Sequence, residues 1–120
     1  MTLHVCGDVT KIFDDLLKLK GVNILSHAFA GTLENIRLIS REKLESSGKM
    51  LGFGCIDVSS ERVESVEEVT SLIKRGIDLV GADNMIVHPD CGMHALPRSV
   101  AREKLAIMCK AVRLLNKETK

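Results

Sequence analysis

The sequence predicts an α/β fold of four βα units on a parallel sheet, and three observations carry that prediction. Short apolar runs alternate with stretches whose apolar residues recur every three or four positions, the pattern of a buried strand followed by an amphipathic helix. Gly21 and Gly81 close two of the helical stretches, as glycine does just past a last helical turn. Imidazole and thiol groups gather at the carboxyl ends of the strands, where parallel βα proteins carry their reactive groups.

Taken in order, Thr2 to Cys6 reads as the first strand, and Val9 to Lys20 as a helix with Asp8 as N-cap and Ile12, Leu16 and Leu19 as its apolar stripe, widened by Phe13 and Leu17. Val22 to Phe29 is the second strand. Gly31 breaks it, and Thr32 is placed to cap a helix carrying Leu33, Ile36 and Ile39, which frays into the polar stretch 41–49. Met50 to Ile56 is the third strand, thinned by Gly52 and Gly54. Ser65 and Glu68 form a capping box ahead of a helix whose buried face is Val66, Val69, Ile73, Ile77 and Val80. Asn84 to His88 is the fourth strand. After Pro97, a last helix runs from Arg98 to Leu115 with Ala101, Leu105, Met108, Val112 and Leu115 as its stripe. Strands alternating with helices in this way require right-handed crossovers and a parallel sheet. Four βα units are half of an eight-stranded barrel. They stand either as a small open sheet or as one half of a barrel that a second copy or a separate polypeptide completes, because a long bare parallel edge invites aggregation.

Composition narrows the function. The 120 residues suit one domain, here 1–120, with 45% hydrophobic residues and only three Phe, no Tyr and no Trp, so the core must be aliphatic. Seventeen Lys and Arg against sixteen Asp and Glu leave a net charge of +1, which excludes nucleic acid as the main partner because phosphate binding needs a concentrated basic face. No apolar run reaches the length of a membrane span, and the N-terminus lacks the order of a signal peptide. Cys6, Cys55, Cys91 and Cys109 have no disulfide-framework spacing, so a cytoplasmic chain with free or metal-bound thiols is expected.

His4 and Cys6 are two apart on a strand and share one side of it. Cys91, just past the fourth strand, adds a second sulfur. One nitrogen and two sulfur donors suit zinc with an open position. His27, Asp57, Ser59, His88 and Asp90 fall on the same rim and are candidates to orient a ligand or face a substrate. Asp90 equally suits satisfying backbone amides of a turn. Cys55, inside the third strand, and Cys109, on the core side of the last helix, read as packing residues. Arg102, Glu103, Lys104 and Lys110 read as an outer helix face, and His94 as exposed.

His4-Val5-Cys6-Gly7-Asp8, Gly52-Phe53-Gly54-Cys55-Ile56-Asp57, Glu64-Ser65-Val66-Glu67-Glu68, and Pro89-Asp90-Cys91-Gly92-Met93 followed by Leu96-Pro97-Arg98 occur in that order. Together they resemble the cobalamin-independent methionine synthases, in particular their short archaeal-type members, over essentially the whole chain. The resemblance implies the second half of a TIM (βα)8 barrel, strands five to eight, and a zinc-dependent methyl transfer to homocysteine that gives methionine. The methyl donor would be a folate or a corrinoid. The family's His-x-Cys pair and the Cys of its Pro-Asp-Cys-Gly stretch fall on His4, Cys6 and Cys91. Its Glu ligand falls on Ala28, twenty-two residues after Cys6. Water or substrate would fill that vacancy, or His27 if the strand end bends. Ser59 stands where longer members carry a His linked to proton transfer. With the first four βα units of the family's barrel missing, activity is expected only in a homodimer or with a complementary half-barrel polypeptide. The alternative expectation is a non-catalytic metal-binding or interaction half-barrel docked to a partner.

Overall fold

In the computed structural model, which describes residues 1–118, four parallel strands form one sheet in the order β1 (Thr2–Val5), β2 (Ile24–Ala28), β3 (Met50–Ile56), β4 (Met85–Pro89). Each strand pairs with the next in sequence: Thr2 lies opposite Ile24, Ile24 opposite Met50, and Leu51 opposite Met85. A register shift between Gly54 and Ile56 ends the β3–β4 ladder.

Alternation sorts the strand residues onto two unlike faces. Leu25, His27, Leu51, Phe53 and Cys55 point to one face and are buried in the core together with Val69 and Ile73 of the third helix and Ala111 and Leu115 of the fourth. Leu3, Val5, Met85 and Val87 pack against the same core. The other face carries Thr2, His4, Ile24, Ser26, Ala28, Met50, Gly52, Gly54, Ile86 and His88, and no helix covers it among the described residues. Ile86 there is 44% exposed.

The helices follow the sequence reading unevenly. Only Phe13–Leu16 forms α1, where a helix over 9–20 was expected. The Asp8 carboxylate accepts the Thr10 amide at 2.8 Å, as a cap does, and the Val9 amide donates to the Asn35 side chain at 3.0 Å, but Ile12, Lys18 and Leu19 bond three residues back, so the segment is mostly turns around one short helix. Burial picks Val9 and Phe13 as anchors and leaves Ile12 and Leu19 exposed, against the expected stripe. The segment after Gly31 is a 3₁₀ helix, Leu33–Leu38, with no side-chain cap from Thr32. Conversely, the polar stretch expected to fray forms α2 (Arg41–Ser47): Ser40 accepts the Lys43 amide, Gly48 closes the helix at φ 68°, and Leu44 alone is its buried residue. One inward residue leaves no period to read.

Helix α3 (Val66–Val80) has the expected capping box of Ser65 and Glu68. Gly76 lets it press on the sheet, since a Cβ there would sit 2.9 Å from the Phe53 ring. A 3₁₀ turn, Ala82–Asn84, leads into β4. Helix α4 (Arg98–Glu118) corrects the sequence reading in three places: Leu105 is 38% exposed, Cys109 is exposed rather than on the core side, and Lys104, assigned to the outer face, is fully buried.

Candidate metal centre

The convergence starts from β1 and β4, the two margins of the sheet. Strands spaced by about 4.8 Å would hold these margins roughly 14 Å apart in a flat sheet. Here the sheet curls, and Cys6 Sγ lies 3.0 Å from Cys91 Sγ and 3.3 Å from His4 Nε2. One donor atom from each of His4, Cys6 and Cys91 lies within 4.8 Å of the others. Both thiols are free, Cys6 exposed and Cys91 half-buried. The hydrogen bond to Cys91 pushes the Cys6 thiol up from its usual range. Burial, followed by the nearby His88 ring, pushes the His4 imidazole down, partly offset by its bond to Ser26.

The concave face carries a second layer. His4 Nδ1 meets Ser26 Oγ at 2.8 Å, Ser26 Oγ meets His88 Nε2 at 2.9 Å, and His88 Nδ1 meets the Pro89 carbonyl at 2.5 Å. This line crosses above β3, where Gly52 has no side chain: a Cβ there would sit 2.8 Å from His88 Nε2.

Asp90 does not reach the donors. Its carboxylate accepts the amides of Phe29, Ala30 and Gly31 at 3.2, 3.1 and 2.6 Å, the turn-binding role that the sequence left open. Burial raises its pKa, and the three amides hold that rise in check. Gly54 makes the room, since a Cβ there would lie 2.6 Å from Asp90 Oδ1. His27 lies on the helix-covered face, as its position beside Ala28 requires. Its ring stacks edge-on against Phe13, and Nδ1–H donates to the Val5 carbonyl at 3.2 Å, between His4 and Cys6 in sequence. Its Nε2 is the one buried side-chain nitrogen or oxygen without a partner among the described residues.

Asp57 and Ser59 sit on the loop after β3, with Asp57 Oδ1 accepting both the Ser59 amide and its hydroxyl. Together with Cys6, Ala28, Asp90 and Cys91 they line a cleft of about 220 Å³. The sequence reading missed what holds this loop. Lys104 Nζ donates to the Asp57 and Arg62 carbonyls at 3.0 and 2.7 Å and to Glu64 Oε1 at 2.9 Å, while Glu64 Oε2 accepts the Asp57 amide. Asn35, also missed, donates to the Gly7 and Ala28 carbonyls at 2.9 Å each and so fixes the turn behind Cys6.

An imidazole nitrogen and two thiols at these separations form a donor set that fits zinc. Ala28 lines the neighbouring cleft with a methyl group, so this chain offers no carboxylate from that position.

The sequence matches the catalytic domain of the cobalamin-independent synthases over residues 1–114. The chain belongs to the cobalamin-independent methionine synthase family. It is 47% identical over 111 residues to the methionine synthase of Methanothermobacter thermautotrophicus, covering 92% of this chain and 35% of that protein. It is 42% identical over 122 residues to the methionine synthase of Methanocaldococcus jannaschii, covering 94% and 38%. This family member thus spans about a third of the length of the relatives it matches. A solved B12-independent methionine synthase from Shewanella sp. W3-18-1, in complex with selenomethionine, shares its fold. The TM-score is 0.83 at 23% identity, over 98% of this chain and 39% of that one. The four βα units are half of a TIM (βα)8 barrel.

Proposed function

We propose that residues 1–120 act as one half-barrel domain, the zinc-binding half of a methionine synthase that transfers a methyl group to the sulfur of homocysteine. The observation that carries this reading is the meeting of His4 Nε2, Cys6 Sγ and Cys91 Sγ across the curled sheet. His4, Cys6 and Cys91 would hold the ion. Bound there, zinc would supply the positive charge that keeps an incoming thiol deprotonated at neutral pH.

The chain's own residues prepare the rest. Asn35 and the His27 bond to Val5 hold the backbone on either side of Cys6. Asp90 ties the end of β2 to Cys91's loop through three amides, so the two sulfurs keep their separation. Ala28 leaves the cleft side of the group open to substrate. In the transfer, the homocysteine sulfur loses its proton and forms a bond to the methyl carbon as that carbon's bond to the donor breaks. The donor, a methylated folate or a methylated corrinoid, is held by groups outside these four units. Turnover therefore needs a second half-barrel, either a complementary polypeptide or another copy of this chain. A cytosolic setting, where thiols stay reduced, suits Cys6 and Cys91.

The test is metal content of the purified chain, with Cys6→Ser and Cys91→Ser beside it. About one zinc per chain is expected, falling by at least tenfold in either variant, since each change removes one of three ligands. Zinc retained in both variants overturns the assignment. Ala28 and Ser59, which replace a carboxylate and an imidazole expected from the family's pattern, favour a second reading, a docking half-barrel without turnover. Zinc binding with no methyl transfer, even when the missing half is supplied, would select that second reading.

A further inference from the structure

Metal binding at His4 requires a bare lone pair on Nε2, and the concave face contains the means to enforce it. The Pro89 carbonyl can only accept, so His88 Nδ1 at 2.5 Å carries the proton and donates. In the neutral ring this leaves His88 Nε2 as an acceptor, and the Ser26 hydroxyl donates to it at 2.9 Å. The remaining lone pairs of Ser26 Oγ face His4 Nδ1 at 2.8 Å, which must then be the protonated nitrogen. The reverse polarity would set a lone pair of His88 Nδ1 against the Pro89 oxygen. We propose that Ser26 and His88 are positioning residues, a relay that locks His4 in the tautomer protonated on Nδ1 and so presents Nε2 bare to the space it shares with Cys6 and Cys91.

Two further facts support the relay. Ser26 is 6% exposed, so its hydroxyl depends on the two imidazoles rather than on water. The line between β2 and β4 exists only because β3 has a glycine beneath it, Gly52, whose Cβ would crowd both His88 Nε2 and Ser26 Cα. Partners of this kind raise ligand basicity and fix ring orientation, and their loss typically costs 10–100-fold in metal affinity.

The proposal rests on the zinc reading for its purpose but not for its first measurement. Ring ¹⁵N NMR of the reduced, metal-free chain reports the tautomer directly. His4 is expected protonated at Nδ1 in the wild type and divided between tautomers in Ser26→Ala. Ser26→Thr keeps the hydroxyl and should keep the wild-type tautomer, whereas His88→Gln removes the Nδ1–H held by the Pro89 carbonyl and offers Ser26 either a donor or an acceptor, so His4 should be divided there too. Zinc competition against a chromophoric chelator should then show Ser26→Ala weaker by about 10–100-fold and Ser26→Thr restored. A wild-type His4 protonated at Nε2, or a tautomer unmoved by Ser26→Ala in a chain with unchanged circular dichroism, overturns the relay. If no variant binds zinc, the zinc reading falls while the tautomer still decides the relay.

Discussion

Cys6, one residue past β1, and Cys55, within β3, meet opposite surroundings. Cys55 is 1% exposed among core residues, and burial pushes its thiol up to about 12. Cys6 and Cys109 are exposed and Cys91 is half-buried. In the native, metal-free chain, three of the four thiols should therefore react quickly with a disulfide reagent, and the fourth only on unfolding. The same burial sets an alkaline limit. Above about pH 9 the unfolded chain releases the Cys55 proton that the folded chain still holds, so stability falls as pH rises from there toward 12. Urea unfolding from pH 7 to 11 should show that fall, and Cys55→Ala should flatten it; equal slopes would reject the assignment. At this scale the sequence was legible where spacing is local. His4 near the end of β1 and Cys6 one residue past it, two apart in sequence, still turn their donor atoms to one point, although the strand stops at Val5 and not at Cys6 as the spacing predicts. Ser26 was not legible, because a serine in a buried strand gives no signal of its own and its partner His88 is 62 residues away.

Among the elements, α4 shows how a correct outline can hide a wrong face. Its inward line runs through Ala101, Lys104, Met108, Ala111 and Leu115, at steps of three and four. Lys104 falls on that line, where Leu105 was expected because it is apolar. The spacing was the available signal, and the charge of Arg102-Glu103-Lys104 masked it. The ammonium replaces water with two carbonyls and the Glu64 carboxylate, whose side chain is 10% exposed. Lys104→Met would leave those acceptors buried and unpaired, and should cost about 3 kcal/mol in urea unfolding. Glu64→Gln keeps one acceptor oxygen, so either the lysine or the Asp57 amide loses its partner, and the change should cost about 1–3 kcal/mol. A Lys104→Met change of under about 1 kcal/mol would show that water replaces the ammonium. Helix α1 failed for the converse reason. Its apolar spacing was helical, but i→i+3 turns at Ile12, Lys18 and Leu19 take the place of helical bonds on either side of Phe13–Leu16. The capping box of α3 and the buried Val69, Ile73 and Val80 of its stripe follow from signals within a few residues of chain, while Val66 and Ile77 are only half-buried and Gly76 takes a buried place.

For the whole molecule, the sheet has one dressed face and one bare. The parallel direction and the count of four βα units were legible from the alternation, whereas the barrel came from the family resemblance, because alternation also suits an open sheet. The curl was not: it depends on Gly52 and Gly54 leaving room for His88 and Asp90, which is a property of three strands together. The bare face carries exposed Thr2 and Ile86 beside unpaired outer edges of β1 and β4. Light scattering after size exclusion should find the chain at twice its own mass or more. Ile86→Asp should return it to a monomer without loss of helical signal. A stable monomer in the wild type would show that the concave face tolerates water.

Every strand in this sheet pairs with the strand made just before it, at separations of 22 to 34 residues. The sheet can therefore grow in the order of synthesis, each new ribbon laid on a finished neighbour, with no early segment waiting long for a late one. The contacts of the site are longer: Cys91 must find Cys6 across 85 residues, and His88 must find Ser26 across 62. The coordinating group thus forms only once β4 is laid down, and capture of an ion would time the arrival of β4 rather than guide the strands that precede it.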